Sequence, residues 1–220
     1  MELLNTLTDV QAPLVDVWGY PLSFIELVGT VTGLVSVVYA ARAQVLTWPF
    51  GVVNVLAFMI IFYQVHLYSD MLLQVYFLTV TLYGWQQWQK KKADSVRIAW
   101  LSARQQALAG AMVVGGTLLL GAAMQRVHVW LPQWFVQPAA YPWADAFTTS
   151  ASVVATVLLA RKRLEAWVLW VLVDAVSCVL YFQKEIRLMA LEYVIFLLIA
   201  LYGGVQWYLM LHDETRVRFR

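Results

Sequence analysis

The sequence is poor in charged residues and in cysteine. Only 13% of its 220 residues are Asp, Glu, Lys or Arg, whereas 62% are hydrophobic, and the mean hydropathy is +0.68. Soluble domains carry roughly 25% charged residues, so this composition excludes an ordinary soluble domain and predicts an integral membrane protein. The single cysteine, Cys178, excludes a disulfide within the chain.

Sequence motifs of several enzyme classes are also missing. The chain has no G-x-x-x-x-G-K-[ST] nucleotide loop, no G-x-S-x-G nucleophile motif and no H-E-x-x-H zinc motif. Its three histidines, His66, His128 and His212, lack the paired spacing of metal ligands. A net charge of only +2 does not indicate nucleic-acid binding. We therefore expect no enzyme activity, no metal, no cofactor and no nucleic-acid partner.

What the chain does contain is an internal repeat. The segment Leu82–Trp88 returns 119 residues later as Leu201–Trp207. The same offset relates further pairs: Ala41–Arg42 to Ala160–Arg161, Trp48 to Trp167, Gln64 to Gln183, and Phe77–Leu78 to Phe196–Leu197. Two polar pairs match after a slip of about one residue: Asn54 with Asp174, and Gln74 with Glu192. Two homologous halves are the simplest explanation.

Apolar stretches long enough to cross a bilayer recur along the chain. They cover approximately residues 24–41, 46–65, 70–89, 104–124, 144–160, 165–183 and 188–210. Three spans reverse the direction of a chain, and the single span at 104–124 restores it. The sequence therefore predicts an all-α integral membrane protein with seven transmembrane helices in a 3+1+3 arrangement of parallel repeats, as in SWEET-type transporters.

This arrangement predicts five segments. They are an N-terminal lead-in (1–21), a first three-helix repeat (22–92), a linker helix and loop (93–142), a second three-helix repeat (143–212) and a cytoplasmic tail (213–220). The lead-in has no Lys or Arg, and so lacks the basic region of a cleaved signal peptide.

Basic residues fall mainly on one side of the predicted membrane. All Lys and Arg except Arg126, Lys184 and Arg187 lie in the tail or in connections that share one side. Cytoplasmic loops are enriched in Lys and Arg, so this side is predicted to be cytoplasmic. The N-terminus is then outside and the C-terminus is in the cytoplasm.

Few polar side chains fall at mid-depth in the predicted helices. Such a group costs several kcal/mol in hydrocarbon unless it faces a cavity or a partner, so each is a candidate for function. The candidates are Asn54, Gln74, Asp174, Ser177 and Glu192. A structural partner on a neighbouring helix is the alternative for Asp174, and Glu192 lies near a predicted helix end.

Aromatic rings share the helix faces of these groups. Helical spacing places Trp170 and Tyr181 on the stripe of Asp174, and Trp85 and Trp88 on the stripe of Gln74. Anchoring at the membrane interface is the alternative for the tryptophans near helix ends. A face that combines flat rings, hydrogen-bonding groups and a carboxylate predicts a site for a flat, polar molecule, including a cationic one.

Several motifs in combination carry a family resemblance. The runs Leu46–Asn54, Phe62–Gln64 and Tyr83–Trp88 resemble those of PnuC-type nicotinamide riboside transporters. In the second half, Trp167–Asp174 and Tyr202–Gly203 look like the same family. The second copy departs from the first where Gly204 stands in the place of Trp85.

The resemblance implies uptake of nicotinamide riboside across a bacterial inner membrane. It implies facilitated diffusion with alternating access, and phosphorylation in the cytoplasm that traps the product. The residues agree with this, because the substrate carries a cationic aromatic ring that suits aromatic faces and a carboxylate. No Lys or Arg falls at mid-depth, which disfavours a phosphorylated substrate.

Other functions stay open at this point. A proton-coupled carrier would use Asp174 or Glu192 as its proton relay. The same fold would also suit a carrier for thiamine, riboflavin or a deoxynucleoside. A membrane receptor that binds without transporting is the alternative from another class. Besides the substrate, the expected partner is membrane lipid, and the apolar outer faces allow association into a homo-oligomer.

Overall fold

Seven helices and a small sheet make up the described part of the chain. The computed structural model describes residues 7–17, 19–66, 68–90, 97–133, 138–183 and 187–218. The elements are β1 (Pro13–Val17), β2 (Tyr20–Ser23), α1 (Phe24–Ala41), α2 (Thr47–Gln64), α3 (Tyr68–Gln89), α4 (Ala103–Trp130), α5 (Pro142–Ala160), α6 (Glu165–Gln183) and α7 (Arg187–Arg218). Of the basic residues behind the orientation prediction, Lys91, Lys92, Lys184 and Arg220 lie outside the described residues.

Six of the described helices are long and apolar enough to cross a membrane. They are α1, α2, α4, α5, α6 and, over Met189–Asp213, α7. The remaining helix, α3, has 22 residues and is long enough to cross, but it carries Asp70, Gln74 and Gln86. The chain therefore has six candidate spans and a seventh, more polar helix.

Two helices continue beyond the spans that hydropathy predicts. Helix α4 ends at Trp130, where the predicted span ends at 124, and α7 ends at Arg218, where the predicted span ends at 210. The predicted tail at 213–220 thus begins inside a helix. Hydropathy marks the apolar part of a helix, whereas its hydrogen bonding continues into polar residues.

The N-terminal lead-in adds a β-hairpin to an otherwise helical chain. Strands β1 and β2 are antiparallel, with Val15 opposite Leu22. In the turn, the Gly19 N–H donates to the Asp16 carboxylate at 2.7 Å, and Gly19 has a φ of +84°. Glycine adopts this left-handed conformation without a steric cost. Hydropathy and periodicity did not predict these strands.

The hairpin leads directly into the capped start of α1. The Ser23 hydroxyl accepts from the Glu26 N–H, while the Ser23 N–H donates to the Glu26 carboxylate at 2.8 Å. This reciprocal pair is a capping box, which satisfies free N–H groups at a helix start. The Tyr20 hydroxyl also donates to Glu26, at 2.7 Å. Partial burial, with this hydrogen bond and the carboxylate charge, raises the pKa of Tyr20 to about 12.

The chain divides into two compact units, which we call unit 1 (Met1–Val96) and unit 2 (Arg97–Arg220). In unit 1, α1 packs on α2 and α2 packs on α3. In unit 2, α4 packs on α5, α5 on α6 and α6 on α7. The last three helices of unit 2 therefore repeat the order of neighbours found in unit 1.

The segment before α4 is tied to the α5–α6 loop of the same unit. Ala99 forms a parallel bridge with Arg163. One carboxylate oxygen of Glu165 accepts from the Leu101 N–H and from the Gln106 side-chain amide, both at 2.8 Å. The start of α4 is thus fixed to the second three-helix set.

The α1–α2 and α5–α6 loops have the same backbone geometry. Ala43 and Lys162, which are 119 residues apart, have left-handed φ values of +53° and +52°. The Ala43 N–H donates to Ala40 and the Lys162 N–H donates to Leu159, both at 2.9 Å. Left-handed residues other than glycine are uncommon, so their recurrence at one offset supports the internal duplication.

Candidate functional site

Each unit contains a tryptophan pair at the same place in its fold. In unit 1, Trp48 near the start of α2 meets Trp88 near the end of α3 edge to face, with ring centroids 5.2 Å apart. In unit 2, Trp167 and Trp207 meet in the same way at 5.6 Å. Edge-to-face contact at these distances is favourable aromatic packing.

A glycine makes room for one ring of each pair. A Cβ on Gly84 would fall inside van der Waals contact with the Trp48 ring, and one on Gly203 would lie 2.6 Å from the Trp167 ring. Only 3% of Trp48 and 2% of Trp167 is exposed. Core packing therefore explains the repeated Leu-Tyr-Gly motif without a ligand.

These pairs fix the alignment of α2 with α6 at a constant offset. Both helices are continuous from the tryptophan onward. At an offset of 119, Asn54 corresponds to Val173, and Asp174 corresponds to Val55. Adjacent helix positions point about 100° apart, so Asn54 and Asp174 lie on different sides of their helices. The predicted slip of one residue is therefore unnecessary.

Asn54 is used to join two helices of unit 1. Its side-chain amide donates to the Gly29 carbonyl of α1 at 2.8 Å. A Cβ on Gly29 would lie 3.2 Å from the Phe58 ring, so the two helices are close at this point. The contact gives Asn54 a structural role, and the carbonyl oxygen of its side chain remains available for a ligand contact.

The other predicted residues of unit 1 lie on α3. Gln74 and Trp85 are half-buried, and Trp88 is buried in the pair with Trp48. Packing accounts for the position of Trp88. A role for these three residues in substrate binding stays a prediction.

Asp174 is a buried carboxylate in the middle of α6. Only 5% of it is exposed, and the sequence has no Lys or Arg between Arg163 and Lys184. Its charge acts on Tyr193 of α7 and on Cys178, which follows one turn later on α6 and is partly buried. A buried charge is costly unless it is paired, so this place in the fold favours a positively charged ligand.

Two tyrosines and a serine surround the same place. Tyr181 of α6 and Tyr193 of α7 stack in parallel, with centroids 5.2 Å apart and an interplanar angle of 11°. Ser177, of which 3% is exposed, forms a side-chain hydrogen bond with Tyr193. We name Asp174, Ser177, Tyr181 and Tyr193 the α6–α7 cluster. The structure thus brings three of the predicted residues together and adds Tyr193.

Sequence reasoning missed Tyr193 because it assumed a slipped alignment. The slip paired Gln74 with Glu192, whereas the constant offset pairs Gln74 with Tyr193. Glu192 is half-buried and immediately precedes Tyr193. Trp170, also predicted, packs against a core cluster of unit 2 that includes Val173 and Val154.

A shallow depression of about 320 Å³ lies between α5 and α6. None of the predicted site residues lines it. Its lining is mostly apolar and consists of Tyr141, Ala144, Ala175, Val176, Val179, Leu180 and Gln183. The counterparts of Ala144, Val176 and Leu180 in unit 1 are Ile25, Ala57 and Ile61, which form a cluster covered by Val10. The N-terminal segment therefore covers in unit 1 the place that is a depression in unit 2.

Over the described ranges, no three His, Cys, Asp or Glu side chains are grouped as metal ligands would be. The candidate site is accordingly the α6–α7 cluster in unit 2, with the predicted residues of α2 and α3 in unit 1.

Comparison with known proteins identifies the family. The family model described as "Nicotinamide mononucleotide transporter" matches residues 23–209, most of the chain. The chain belongs to this transporter family. The resemblance to PnuC-type transporters that the motifs indicated is thereby confirmed.

Individual relatives give a finer comparison. The chain is 35% identical over 207 residues to the nicotinamide riboside transporter PnuC of Escherichia coli strain K12, covering 86% of this chain and 87% of that protein. It is 32% identical over 197 residues to the riboflavin/roseoflavin transporter RibM of Streptomyces davaonensis, covering 87% of each. A crystal structure of the vitamin B3 transporter PnuC superposes with a TM-score of 0.65 at 25% identity, covering 86% of this chain and 83% of that one.

These relatives are all named as transporters, which favours a carrier over an enzyme. The chain is a multi-pass membrane protein of this family. The names differ in the molecule carried, because the family description refers to the mononucleotide while its relatives are named for the riboside or for riboflavin.

Proposed function

We propose that this protein takes up nicotinamide riboside by facilitated diffusion. The observation that carries the proposal is Asp174, a buried carboxylate on a helix without basic residues, in a chain 35% identical to a nicotinamide riboside transporter. The riboside bears a fixed positive charge on its pyridinium ring. This charge complements Asp174 without any change of protonation.

The neighbours of Asp174 suit the rest of the substrate. Aromatic faces attract a cation by about 0.5–2 kcal/mol per contact, and Tyr181 and Tyr193 offer such faces. The Ser177 hydroxyl and the Asn54 and Gln74 amides suit the ribose hydroxyls and the carboxamide. We propose Trp85, Trp88 and Trp170 as stacking walls and Glu192 as a further polar contact.

The proposed substrate is the riboside and not the mononucleotide. A phosphate is bound in proteins by Arg, Lys or several N–H groups. Between Phe24 and Gln89, and between Pro142 and Gln183, the only Lys or Arg residues are Arg42, Arg161, Lys162 and Arg163. These four lie in the α1–α2 and α5–α6 loops, outside the helices.

Alternating access is the proposed mechanism. Two parallel three-helix repeats, α1–α3 and α5–α7, would rock against each other in a 3+1+3 arrangement, with α4 as the connection. The matching loops and tryptophan pairs of the two units support such a pair of similar bodies. Phosphorylation in the cytoplasm would then trap the riboside, so that no coupling ion is required.

Uptake into vesicles that contain the purified protein tests the substrate. Labelled nicotinamide riboside is supplied with excess unlabelled riboside, its uncharged dihydro form, the mononucleotide, thiamine or riboflavin. We expect the riboside to compete best. Asp174→Asn should lower riboside uptake at least tenfold, whereas Asp145→Asn, a charge removal in the first turn of α5, should leave it within about twofold. Absence of riboside uptake by the intact protein would contradict the proposal.

The same experiment separates the remaining alternatives. Riboflavin is the second candidate, favoured by the 32% identity to RibM, and as an uncharged molecule its uptake should not depend on Asp174. Accumulation driven by an imposed pH gradient, without a kinase, would favour a proton-coupled carrier. Binding of the riboside without flux would favour a receptor.

A further inference from the structure

Tyr193 is held in one orientation by groups on two helices. Its ring stacks on Tyr181 of α6 at an interplanar angle of 11°, and its hydroxyl is hydrogen-bonded with Ser177 of the same helix. On its own helix, Phe196 meets the ring at an angle of 60° with centroids 6.2 Å apart. Three contacts therefore fix both the plane of the ring and the position of its hydroxyl.

The same ring is close to the buried carboxylate. Asp174 and Ser177 are three residues apart on α6, which places them on neighbouring positions of one helix face. Because Ser177 bonds Tyr193 directly and the charge of Asp174 acts on Tyr193, a cation held at Asp174 would also meet Tyr193. Tyr181 covers one face of the ring in parallel, and Phe196 approaches at an angle, so a face without a parallel ring remains among the described residues.

We propose that Tyr193 is a specificity-determining residue that contacts the cationic ring of the substrate, with Ser177 and Tyr181 as its positioning residues. The inference rests on the proposed function, because it concerns the binding of the same substrate. It assigns charge selectivity to two groups, the Asp174 carboxylate and the face of Tyr193. The carboxylate supplies attraction, and the ring supplies attraction that only a cation placed over its face can use.

The test compares a charged and an uncharged substrate of nearly the same shape. Affinities for nicotinamide riboside and for dihydronicotinamide riboside are measured on the purified protein, and their ratio is the readout. In Tyr193→Leu, the dissociation constant for the charged riboside should rise about 5- to 30-fold, the equivalent of about 1–2 kcal/mol of cation–π contact. The constant for the uncharged form should change less than about threefold.

Replacement by ring analogues separates charge recognition from packing. Tyr193→Phe keeps the ring and should retain most of the selectivity. Pentafluorophenylalanine at the same position keeps the ring shape but reverses its quadrupole, and so should lower the ratio toward that of Tyr193→Leu. This comparison stands even if Tyr193→Leu does not insert into the membrane. Tyr202→Leu, an exposed tyrosine on the same helix, is the matched control and should leave the ratio unchanged.

Each outcome has one meaning. A ratio that is unchanged in both Tyr193→Leu and the fluorinated variant would overturn the inference, as would an equal loss for both substrates. Failure of the intact protein to bind the charged riboside would instead overturn the proposed function.

Discussion

At the scale of single residues, a glycine opposite a tryptophan is the packing unit that the two units share. Gly84 with Trp48, and Gly203 with Trp167, allow α3 and α7 to approach α2 and α6. Small residues let helix backbones come close in membranes, where dispersion and polar contacts drive association. The glycines are therefore selected by space and not by flexibility.

Adding a methyl group at either glycine should destabilise the fold. In Gly84→Ala and Gly203→Ala the new Cβ collides with a buried ring, and overpacking of this kind costs typically about 1–3 kcal/mol. Thermal unfolding in detergent should show a melting temperature lowered by several degrees. Gly110→Ala is the control, because a Cβ there has no neighbour within 4 Å. A melting temperature equal to that of the control would contradict this packing of glycine against tryptophan.

Single polar residues show where the sequence was sufficient and where it was not. Scarcity of polar groups in apolar helices led to Asp174, Ser177 and Tyr181, which the structure places in one cluster. The partner of Asn54 could not be predicted, because a bond to the Gly29 carbonyl depends on how α1 packs on α2. Composition identifies a buried polar group, but only packing identifies its partner.

At the scale of elements, the end of α2 holds the N-terminal segment. The Gln64 side chain donates to the Thr8 carbonyl at 2.6 Å and accepts from the Val10 N–H at 3.0 Å. These two bonds imitate the pairing of a neighbouring strand, and Val10 packs beside Ile61. The counterpart of Gln64 in unit 2, Gln183, is exposed beside the depression between α5 and α6.

Removing the Gln64 amide should release this segment. Gln64→Leu keeps the size of the side chain but loses two hydrogen bonds, each worth about 0.5–1.5 kcal/mol. Hydrogen exchange at the Val10 amide should become roughly tenfold faster, or more, while α2 stays protected. Gln183→Leu provides the matched control and should change nothing at Val10. Equal exchange in the two variants would show that packing alone holds the segment.

Elements also show how far hydropathy predicts a membrane fold. Apolar runs located the helices, since each span must satisfy its backbone internally and be covered by apolar side chains. They did not predict the ends of α4 and α7, which extend into polar sequence. The hairpin was missed for a different reason, because its strands are short and a turn closed by Asp16 and Gly19 is a local signal.

For the whole molecule, the distribution of charge predicts the orientation. Lys and Arg concentrate in the α1–α2 and α5–α6 loops and near the C-terminus, so these are expected in the cytoplasm. A green fluorescent protein fused after Arg220 should be fluorescent, and alkaline phosphatase fused there should be inactive. The same two reporters fused to the N-terminus, with a suitable export signal, should give the opposite results. An active phosphatase at the C-terminus would reverse the predicted topology.

The family and the membrane character were predictable from sequence alone, and comparison confirmed both. Motifs such as the repeated tryptophans persist because packing requires them, so they identify relatives well. The carried molecule is a different matter, since relatives named for the riboside and for riboflavin share these motifs. Substrate choice depends on a few groups around the α6–α7 cluster, which is why it is tested there.

The chain's lone thiol has a practical consequence. Cys178 lies one helical turn from Asp174 and is the sole site in the sequence for maleimide chemistry. A fluorophore or spin label can therefore be attached beside the α6–α7 cluster in the unaltered polypeptide, giving spectroscopy a built-in reporter of ligand occupancy.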